Sequence, residues 1–396
     1  MKKTISTILG LAALSLVTLT TSCSSDDNNN SGPKSDFVVV RDNLQGEINS
    51  GEVVLESGTY KLTGKLVVKN SAKLTIKPGV IIEATAVAAD QLQAVRYIAV
   101  AQGGKIDVQG TATSPVIMTS ETKKPAAWGG LVLCGKAPIN KGVTASAEVS
   151  ELTYGGTEVS DNSGSIKYLR IEYPGFSYSS DKEFNGLSLF GVGNGTVIDY
   201  VQVFESSDDG FEWFGGTVNA NHLVVSNKDA TAVGDDLFDW TEGWNGTGEN
   251  FYGIRTNAGN RGIEADNNAN NHLATPISFP TIKNLTLIGA GVNDTSAESQ
   301  AFKLRVGTKG KFDNVVLKGW KTGFDVQHDE SIKYAGTDLL ATNVKFEDVT
   351  LKSKATATVA GGSVDISKLF TESTTATGAG NGSGVPTWTA GWTRGL

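Results

Sequence analysis

One short phrase recurs between about residues 206 and 268 and carries an acidic side chain at a constant position. It reads DDGFEW at 208–213, DDLFDW at 235–240 and NRGIEA at 260–265, and looser copies lie upstream and downstream. Read as strands, the copies place one residue of each phrase on the face opposite the apolar positions. These residues are Ser188, Glu212, Asp239, Glu264, Lys303 and Asp325. We call them the outward row, and we expect the row to be exposed.

The spacing of the outward row indicates what it could bind. Neighbouring strands stand about 4.8 Å apart, so the row from Glu212 to Asp325 would extend over roughly 19 Å, room for several sugar rings or a cation. Stacked carboxylates repel one another unless a cation or solvent offsets the repulsion. Carboxylates bind Ca²⁺ through oxygen, and exposed aromatic side chains such as Trp244 or Tyr252 could stack on a sugar ring. We therefore predict a non-catalytic surface that binds a glycan or another small nutrient, with Ca²⁺ as a candidate cofactor. The predicted binding residues are Glu212, Asp239, Glu264, Lys303, Asp325, Asp235, Asp236 and Trp244.

Asp235 and Asp236 also support an enzymatic alternative. With Gly234 they form a Gly-Asp-Asp motif that resembles that of polygalacturonases, and a second Asp-Asp pair, at 208–209, lies 27 residues earlier. The resemblance implies inverting hydrolysis by one protonated carboxylic acid and one carboxylate base. The Gly-His-Gly and Arg-Ile-Lys motifs of that family are absent from the sequence. A lyase, which would use Ca²⁺ and a basic side chain, is supported only by Lys303. A third interpretation is a solvated stripe, balanced by Lys303, Arg255 and Arg261, on a structural spacer or adhesin.

A second strand phrase alternates with the first and indicates how the outward row is positioned. Its copies begin at Tyr168, Tyr200, His222, Tyr252, Asn284, Asn314 and Asp348. Repetition at this period is typical of a solenoid, because one unit cannot bury its own apolar face. The phrases are short, rich in β-branched and aromatic residues, and bounded by turn-forming residues. We therefore predict an all-β fold, a right-handed parallel β-helix with loop insertions.

The first coils show a more uniform pattern of three strands. Leu66 and Ile98 are 32 residues apart, as are Leu74 and Ile106, which predicts that each pair stacks in neighbouring coils.

After Leu351 the repeat fades into Ala, Thr, Gly and Ser, with Trp388 and Trp392 near the end of the sequence. We expect a terminal cap that is partly loose.

The N-terminal residues predict export and a lipid anchor. Lys2 and Lys3 precede an apolar stretch at 5–19, which is too short to span a membrane and is typical of a signal peptide. Residues 20–23 (TTSC) resemble a bacterial lipobox, which implies cleavage before Cys23 and acylation of its thiol. The predicted organisation is a lipoprotein signal peptide at 1–22, an acylated cysteine and flexible tether at 23–36, and a β-helix domain at 37–396.

The net charge argues against one class of binding partner, and the cysteine content predicts the state of one thiol. The formal net charge is −8, or −10 once Lys2 and Lys3 are removed, which opposes binding to nucleic acid. Of the two cysteines, Cys23 would be acylated and Cys134 falls in a strand phrase, so we expect a lone buried thiol at Cys134.

Three segments link the chain to a known group of proteins. Residues 128–135, 166–173 and 208–216 resemble the parallel β-helix surface lipoproteins of Bacteroidota and, more distantly, an outer-membrane lipoprotein of leptospires. Proteins of this group are often named multidrug transporters, although no stretch after Leu19 approaches the roughly 20 apolar residues of a membrane span. The acidic pair at 26–27 resembles the export signal of such lipoproteins. The resemblance implies a lipid-anchored protein exposed on the outer membrane, suited to nutrient capture for a TonB-dependent transporter.

Overall fold

The computed structural model describes residues 35–87, 94–179, 182–229, 234–256, 259–358 and 364–396. Within these ranges the chain forms the predicted parallel β-helix, and 22 strands join in one hydrogen-bonded sheet. The predicted signal peptide, Cys23 and nearly all of the tether lie outside the described residues. Among those that are described, no helix has both the length and the apolar character needed to cross a bilayer.

The first coils contain three strands each, as the sequence predicts. The register pairs Leu66 with Ile98 and Leu74 with Ile106, so the 32-residue spacing is confirmed. Short insertions then leave the coil and form two antiparallel hairpins, β10–β11 and β13–β14. The strands up to this point are β1 (Leu44–Ile48), β2 (Gly51–Leu55), β3 (Gly58–Val68), β4 (Ala72–Ile76), β5 (Val80–Ala84), β6 (Tyr97–Val100), β7 (Lys105–Gln109), β8 (Val116–Ser120), β9 (Leu131–Cys134), β10 (Ala145–Ser146), β11 (Thr153–Tyr154), β12 (Gly164–Glu172), β13 (Ser177–Ser179) and β14 (Lys182–Glu183).

From β12 onward each coil alternates a long strand with a short one. The two kinds merge near the C-terminus, where β24 and β25 each run through both positions. The long strands are β16 (Val197–Phe204), β18 (Asn219–Asn227), β20 (Thr247–Arg255), β22 (Thr281–Ile288), β24 (Gly310–Gln327) and β25 (Leu339–Thr356). The short strands are β15 (Leu187–Phe190), β17 (Phe211–Phe214), β19 (Phe238–Thr241), β21 (Ile263–Ala265), β23 (Gln300–Leu304) and β26 (Phe370–Glu372). One α-helix, α1 (Asp329–Tyr334), and two 3₁₀ turns, Ser367–Leu369 and Thr387–Thr389, complete the described elements.

Each long strand bends at a stacked residue in the left-handed region, a conformation that is uncommon for residues other than glycine, and β25 has a second such residue, Asp348 (φ 51°). The stacked residues are Tyr168, Tyr200, His222, Asn250, Asn284, Asn314 and Asn343, with φ between 50° and 61°. Their side chains stack from coil to coil. The rings of Tyr168 and Tyr200 lie 4.3 Å apart, and Asn314 donates a hydrogen bond to Asn284 (2.8 Å). We call this set the bend row.

Two copies of the second sequence phrase are out of register with the prediction. Asn250, not Tyr252, lies at the bend opposite His222, and Asn343, not Asp348, lies opposite Asn314. The physical reason is the left-handed backbone at the bend, which asparagine adopts at low cost. Matching by apolar alternation alone does not detect this requirement.

The apolar side of the short strands faces the interior of the coil, as predicted. The inward residues Leu187, Phe211, Phe238, Ile263, Phe302 and Phe324 are all fully buried. The rings of Phe302 and Phe324 stack at 4.8 Å, and those of Phe211 and Phe238 at 5.8 Å. Cys134 is the predicted lone buried thiol, and burial raises its pKa to about 12.

The C-terminal residues do not form the loose cap that the sequence suggests. They run back along the long strands and cover the bend row. Trp392 is fully buried, with its ring edge-on to Tyr168 and Tyr200, and Trp388 contacts His222 in the same way. The backbone nitrogen of Arg394 donates to Gln202 (2.8 Å). Aromatic packing therefore orders a segment whose composition alone looks flexible.

The inward stack predicts a large loss of stability when one ring is removed. Phe238→Ala should lower the free energy of unfolding by about 3–5 kcal/mol, because it leaves a cavity between two stacked coils. Val197→Ala is the matched control, since Val197 is 43% exposed, and it should change stability by less than about 0.5 kcal/mol. Denaturant unfolding measures both. A cost below about 1 kcal/mol for Phe238→Ala would contradict the inward assignment.

Candidate functional site

The outward row exists as a physical stack. The register places Ser188 beside Glu212, Glu212 beside Asp239, and Asp239 beside Glu264. It continues from Glu264 to Lys303 and from Lys303 to Asp325. The sequence therefore predicts the neighbours in the row correctly.

The exposure of the row differs from the prediction. Only Glu212 and Asp239 are partly exposed. Glu264, Lys303 and Asp325 are buried, with 8%, 7% and 1% of their surface accessible. The expected open surface of roughly 19 Å is thus wrong, and the accessible part of the row spans two neighbouring strands.

Insertions cover the row at its upstream end. A second hydrophobic cluster, which we call the outer cluster, packs on the outside of β6, β9 and β15. Its buried members are Val95, Tyr97, Ala99, Val132, Cys134, Ile139, Ala147, Val149, Tyr154, Phe184, Phe190 and Phe214. The hydroxyl of Tyr154 donates to Glu242 at 2.6 Å, which ties the β10–β11 hairpin to the coil. Residues 135–156, 173–179 and 182–185 therefore form a wall beside the partly exposed carboxylates.

Basic side chains neutralise the row at its downstream end. Arg305 pairs with Glu264 at 2.6 Å, and Arg261 approaches the other oxygen of Glu264 at 3.0 Å. Lys303 pairs with Glu298 at 3.1 Å, and Lys354 pairs with Asp325 at the same distance. These residues form partly buried ion pairs that stabilise this side of the row.

A cluster of five aspartates lies between these two ends of the row. Asp208, Asp209 and Asp235 form one group and Asp209, Asp236 and Asp239 form another, and within each group one carboxylate oxygen per residue lies within 4.8 Å of the others. We call these five residues the carboxylate cluster. The Asp-Asp pairs occupy the turns that lead into β17 and β19, so parallel stacking superimposes them.

Backbone hydrogen bonds fix two members of the cluster. The backbone nitrogen of Asp236 donates to Asp209 at 2.8 Å, and that of Arg261 donates to Asp236 at 2.7 Å. The guanidinium of Arg261 also contacts the second oxygen of Asp236 at 3.0 Å. Asp235 accepts a hydrogen bond from Asn260. This side of the cluster is therefore held rigidly.

Other members lack such support. The Oδ1 atom of Asp239 is buried without a hydrogen-bond partner. Among the residues that the structure describes, no lysine or arginine forms an ion pair with Asp208, Asp239 or Glu212. Glu212 instead accepts a hydrogen bond from Asn185 at 2.5 Å. Several carboxylates thus share a small volume with one arginine at its edge.

Burial and mutual repulsion change the acidity of the cluster. Burial raises the pKa of Asp209 and Asp239 well above the ordinary value, and neighbouring aspartates add to the rise. The pKa of Glu212 is raised well above its ordinary value by burial and then by Asp239. Burial and Asp235 raise the pKa of Asp236 to about 8 against the opposing effect of Arg261. Ionising the whole cluster is therefore unfavourable unless a positive charge enters it.

The donor set fits a hard divalent cation such as Ca²⁺. Ca²⁺ takes six to eight oxygen ligands at about 2.3–2.6 Å, so two ligands of one ion lie at most about 5 Å apart. The two aspartate groups meet that limit, and they contain the buried Oδ1 of Asp239, which has no partner among the described residues. Asp208, Asp209, Asp235, Asp236 and Asp239 are the residues that could hold the ion.

The two aromatic residues predicted to stack on a sugar are not accessible. Trp244 is fully buried in the coil, where its ring stacks on Trp213 at 4.5 Å and its Nε1 donates to the carbonyl of Val218. Tyr252 is 1% exposed and packs under the C-terminal residues beside Trp392. The loop that contains Trp244 folds back into the core, because its indole finds both a ring and a backbone acceptor there.

Several residues of the site were not among the predicted binding residues. Asp208 and Asp209 were visible as a repeated Asp-Asp pair, but only as part of the enzymatic alternative. Arg261 was expected only as a balancing charge in the solvated-stripe interpretation, although it occupies in NRGIEA the place that Asp236 occupies in DDLFDW. Arg305 and Glu298 have no comparable signal, because they come from loops outside the repeat.

Comparisons with known proteins agree with the fold. A family model described as a pectate-lyase like beta helix domain matches residues 46–393, nearly the whole described chain. No curated protein and no solved structure matches the sequence.

The raised pKa values of the carboxylate cluster predict how the stability of the metal-free protein depends on pH. Between about pH 5 and pH 8 the folded protein binds more protons than the unfolded chain, because the pKa of Asp236 rises from 3.8 to about 8 and those of Asp209 and Asp239 also rise. Stability in EDTA should therefore fall as pH rises through this range. Thermal unfolding at several pH values measures the slope. Increasing stability from pH 5 to pH 8 in EDTA would contradict the account.

Proposed function

The chain belongs to the pectate-lyase-like β-helix domain family, and from that premise we propose that it is a surface lipoprotein that binds a glycan at a site organised by a divalent cation. The observation that carries the proposal is the carboxylate cluster with the unpartnered oxygen of Asp239. The family includes polysaccharide-degrading enzymes, which makes a glycan the best-supported class of ligand.

A cation explains why the cluster is stable. Buried carboxylates without cationic partners are costly, and the cost grows when several share one volume. Arg261 offsets only the side formed by Asp235 and Asp236, at 3.5 and 3.0 Å. A bound Ca²⁺ would offset the charge of the remaining aspartates. Through its free coordination positions it could also accept hydroxyl or carboxylate oxygens of a sugar.

The partly exposed Glu212 gives the site a second means of holding a sugar. Its position beside Asp239 in the register puts it at the mouth of the cluster. A carboxylate here can accept hydrogen bonds from sugar hydroxyl groups. Arg305 and Lys303 are engaged by Glu264 and Glu298, so they stabilise the downstream end of the row rather than meet the ligand.

Hydrolysis is the second candidate function, and the raised pKa of Asp236 favours it. A general acid must be protonated at the working pH, and a pKa of about 8 would keep Asp236 protonated at neutrality. Both of its oxygens accept hydrogen bonds from Arg261, however, so neither oxygen is free to transfer a proton to a leaving group. We therefore favour binding without cleavage.

Cation binding can be tested with paired variants. Asp239→Asn should weaken Ca²⁺ binding by at least tenfold, and it should stabilise the metal-free protein by up to about 1 kcal/mol because it removes one repelling charge. Glu264→Gln should instead destabilise the fold by about 1–3 kcal/mol, because Arg305 and Arg261 lose a buried partner. Isothermal titration calorimetry measures binding, and denaturant unfolding in EDTA measures stability.

Asp107→Asn is the matched control for these variants. Asp107 lies on β7, away from the cluster, and pairs with Lys73 at 3.3 Å. This change should leave Ca²⁺ binding unchanged. Equal Ca²⁺ affinity in Asp239→Asn and in the unmutated protein would contradict cation binding at the cluster. Shortening of polygalacturonan by the protein, abolished by Asp236→Asn, would instead support hydrolysis.

The location of the protein is part of the proposal. The lipobox-like residues before Cys23 and the acidic pair at 26–27 support a lipid anchor on the outer face of the outer membrane. Such a location would suit ligand transfer to a TonB-dependent transporter.

A structural spacer or adhesin is the alternative function. A screen of glycans and metals in which nothing binds would favour it.

The anchor predicts where two cysteine variants will be found. Cys23→Ala should release the protein into the soluble fraction, because acylation of that thiol is the only anchor proposed. Cys134→Ala is the control and should stay with the membrane, since Cys134 is buried in β9. Cell fractionation and mass spectrometry of the N-terminal peptide measure the outcome. A Cys23→Ala protein that stays with the membrane, together with an unacylated native chain, would refute the anchor.

A further inference from the structure

A chain of side-chain hydrogen bonds runs along the bend row and ends at His222. The amide nitrogen of Asn314 donates to Oδ1 of Asn284 at 2.8 Å. The amide nitrogen of Asn284 donates to Oδ1 of Asn250 at 3.1 Å, and that of Asn250 lies 3.3 Å from Nε2 of His222. All three amides therefore point the same way, with their nitrogens toward His222.

Backbone groups fix the direction of this chain at both ends. At one end, Oδ1 of Asn314 accepts hydrogen bonds from the backbone nitrogens of Thr377 (2.8 Å) and Gly378 (3.1 Å). At the other end, the amide nitrogen of Asn250 also donates to Oδ1 of Asn221 (3.0 Å), and that oxygen accepts from the backbone nitrogen of the following residue (3.0 Å). An amide turned over at either end would bring two donors together.

The two ring nitrogens of His222 consequently have different partners. Asp199 lies 2.9 Å from Nδ1 and can only accept, so Nδ1 bears a proton. Nε2 accepts from Asn250, because an amide nitrogen only donates. The ring, which stacks on that of Tyr200 at 4.0 Å, is therefore neutral. A second proton, on Nε2, would face the Asn250 donor and would require the chain of amides to turn or to separate.

The C-terminal residues 376–396, which we call the C-terminal strap, contact this chain at two points. At the first point, the strap donates from Thr377 and Gly378 to Asn314, and a turned amide would present its nitrogen to these donors. At the second point, the ring of Trp388 stands edge-on to that of His222, with centroids 4.9 Å apart. Protonation of His222 therefore alters the contacts of the strap at both points.

Two strands contribute charged groups near His222. β16 contributes Asp199, which lies beside Lys167 of β12 in the register. β20 contributes Glu249, which accepts a hydrogen bond from the amide chain at 3.3 Å. The strap contributes the uncharged indole of Trp388. Because Asp199 accepts from Nδ1 whichever protonation state the ring has, the docked and released states of the strap differ at Nε2.

We propose that His222 is a pH-dependent lock for the C-terminal strap. The neutral ring keeps the amides in the direction that docks the strap, and protonation of Nε2 in mild acid releases it. Histidine ordinarily gains a proton between about pH 8 and pH 5. The released state binds the additional proton, so docking weakens as pH falls through this range. Release uncovers the rings of Tyr168, Tyr200 and His222, and it involves no residue of the carboxylate cluster.

Hydrogen–deuterium exchange of the mature protein tests the lock. Exchange is followed by mass spectrometry at pH 7.5 and pH 5.5 in EDTA, and the rates are corrected for the intrinsic pH dependence of amide exchange. We expect the protection of strap amides to be at least about tenfold lower at pH 5.5. Amides of β19, which contains Phe238, should keep their protection, because protonation of the carboxylate cluster stabilises the rest of the fold at the lower pH.

Two histidine variants identify the group that responds to pH. His222→Gln removes the titrating ring and keeps an uncharged side chain that can accept from Asn250. Protection of its strap should be the same at pH 7.5 and pH 5.5. His272→Gln is the matched control, because His272 pairs with Glu330 of α1 at 2.8 Å. The strap of this control should still lose protection at pH 5.5.

Nitrogen NMR of the unmutated protein tests the lock without depending on a variant. The sequence has three histidines, so the signals of His222 can be resolved, and at pH 7.5 its ring should bear a proton on Nδ1 alone. A proton on Nε2 at pH 7.5 would overturn the proposal. Equal strap protection at both pH values in the unmutated protein, or a loss of protection that persists in His222→Gln, would also overturn it.

Discussion

Parallel stacking at about 4.8 Å is the constraint on which the rest of this structure depends. It places equivalent positions of successive repeats in contact. A residue type that recurs at one position of the repeat therefore forms a column of stacked side chains. Inside the coil the columns are aromatic, as for Phe302 and Phe324 at 4.8 Å, and stacking stabilises them. Outside, the same rule aligns Glu212, Asp239 and Glu264, where it creates repulsion. The repeat that stabilises the core therefore concentrates negative charge on one outer face.

The protein removes that repulsion over most of the row and leaves it in one place. Downstream, Arg305 and Arg261 neutralise Glu264, and Lys354 neutralises Asp325. Upstream, the outer cluster covers uncharged members of the column, such as Ser188. Between these regions the carboxylate cluster keeps more negative charge than its neighbours offset. Uncompensated charge in one small volume is costly for folding alone, and the proposed cation would offset it.

Much of the fold and part of the site could be predicted from the sequence. Periodicity identified the β-helix and the order of the outward row, because both follow from local alternation. Exposure could not be predicted from alternation, because it depends on side-chain pairing, such as that of Lys303 with Glu298 and of Asp325 with Lys354. Trp244 was misassigned for the same reason, since nothing in its loop shows that the indole folds inward. The outer cluster depends on residues of two hairpin insertions, whose contacts with the coil have no periodic signal.

The central claim is that a divalent cation occupies the carboxylate cluster. The most direct measurement is anomalous diffraction from crystals of the mature protein grown with Tb³⁺ as a substitute for Ca²⁺. We predict a strong peak bounded by carboxylate oxygens of Asp209, Asp236 and Asp239 or of the adjoining group, and its loss in Asp239→Asn crystals. Crystals in which the ion is absent from the cluster, with Asp239 paired only to protein or water, would contradict the account.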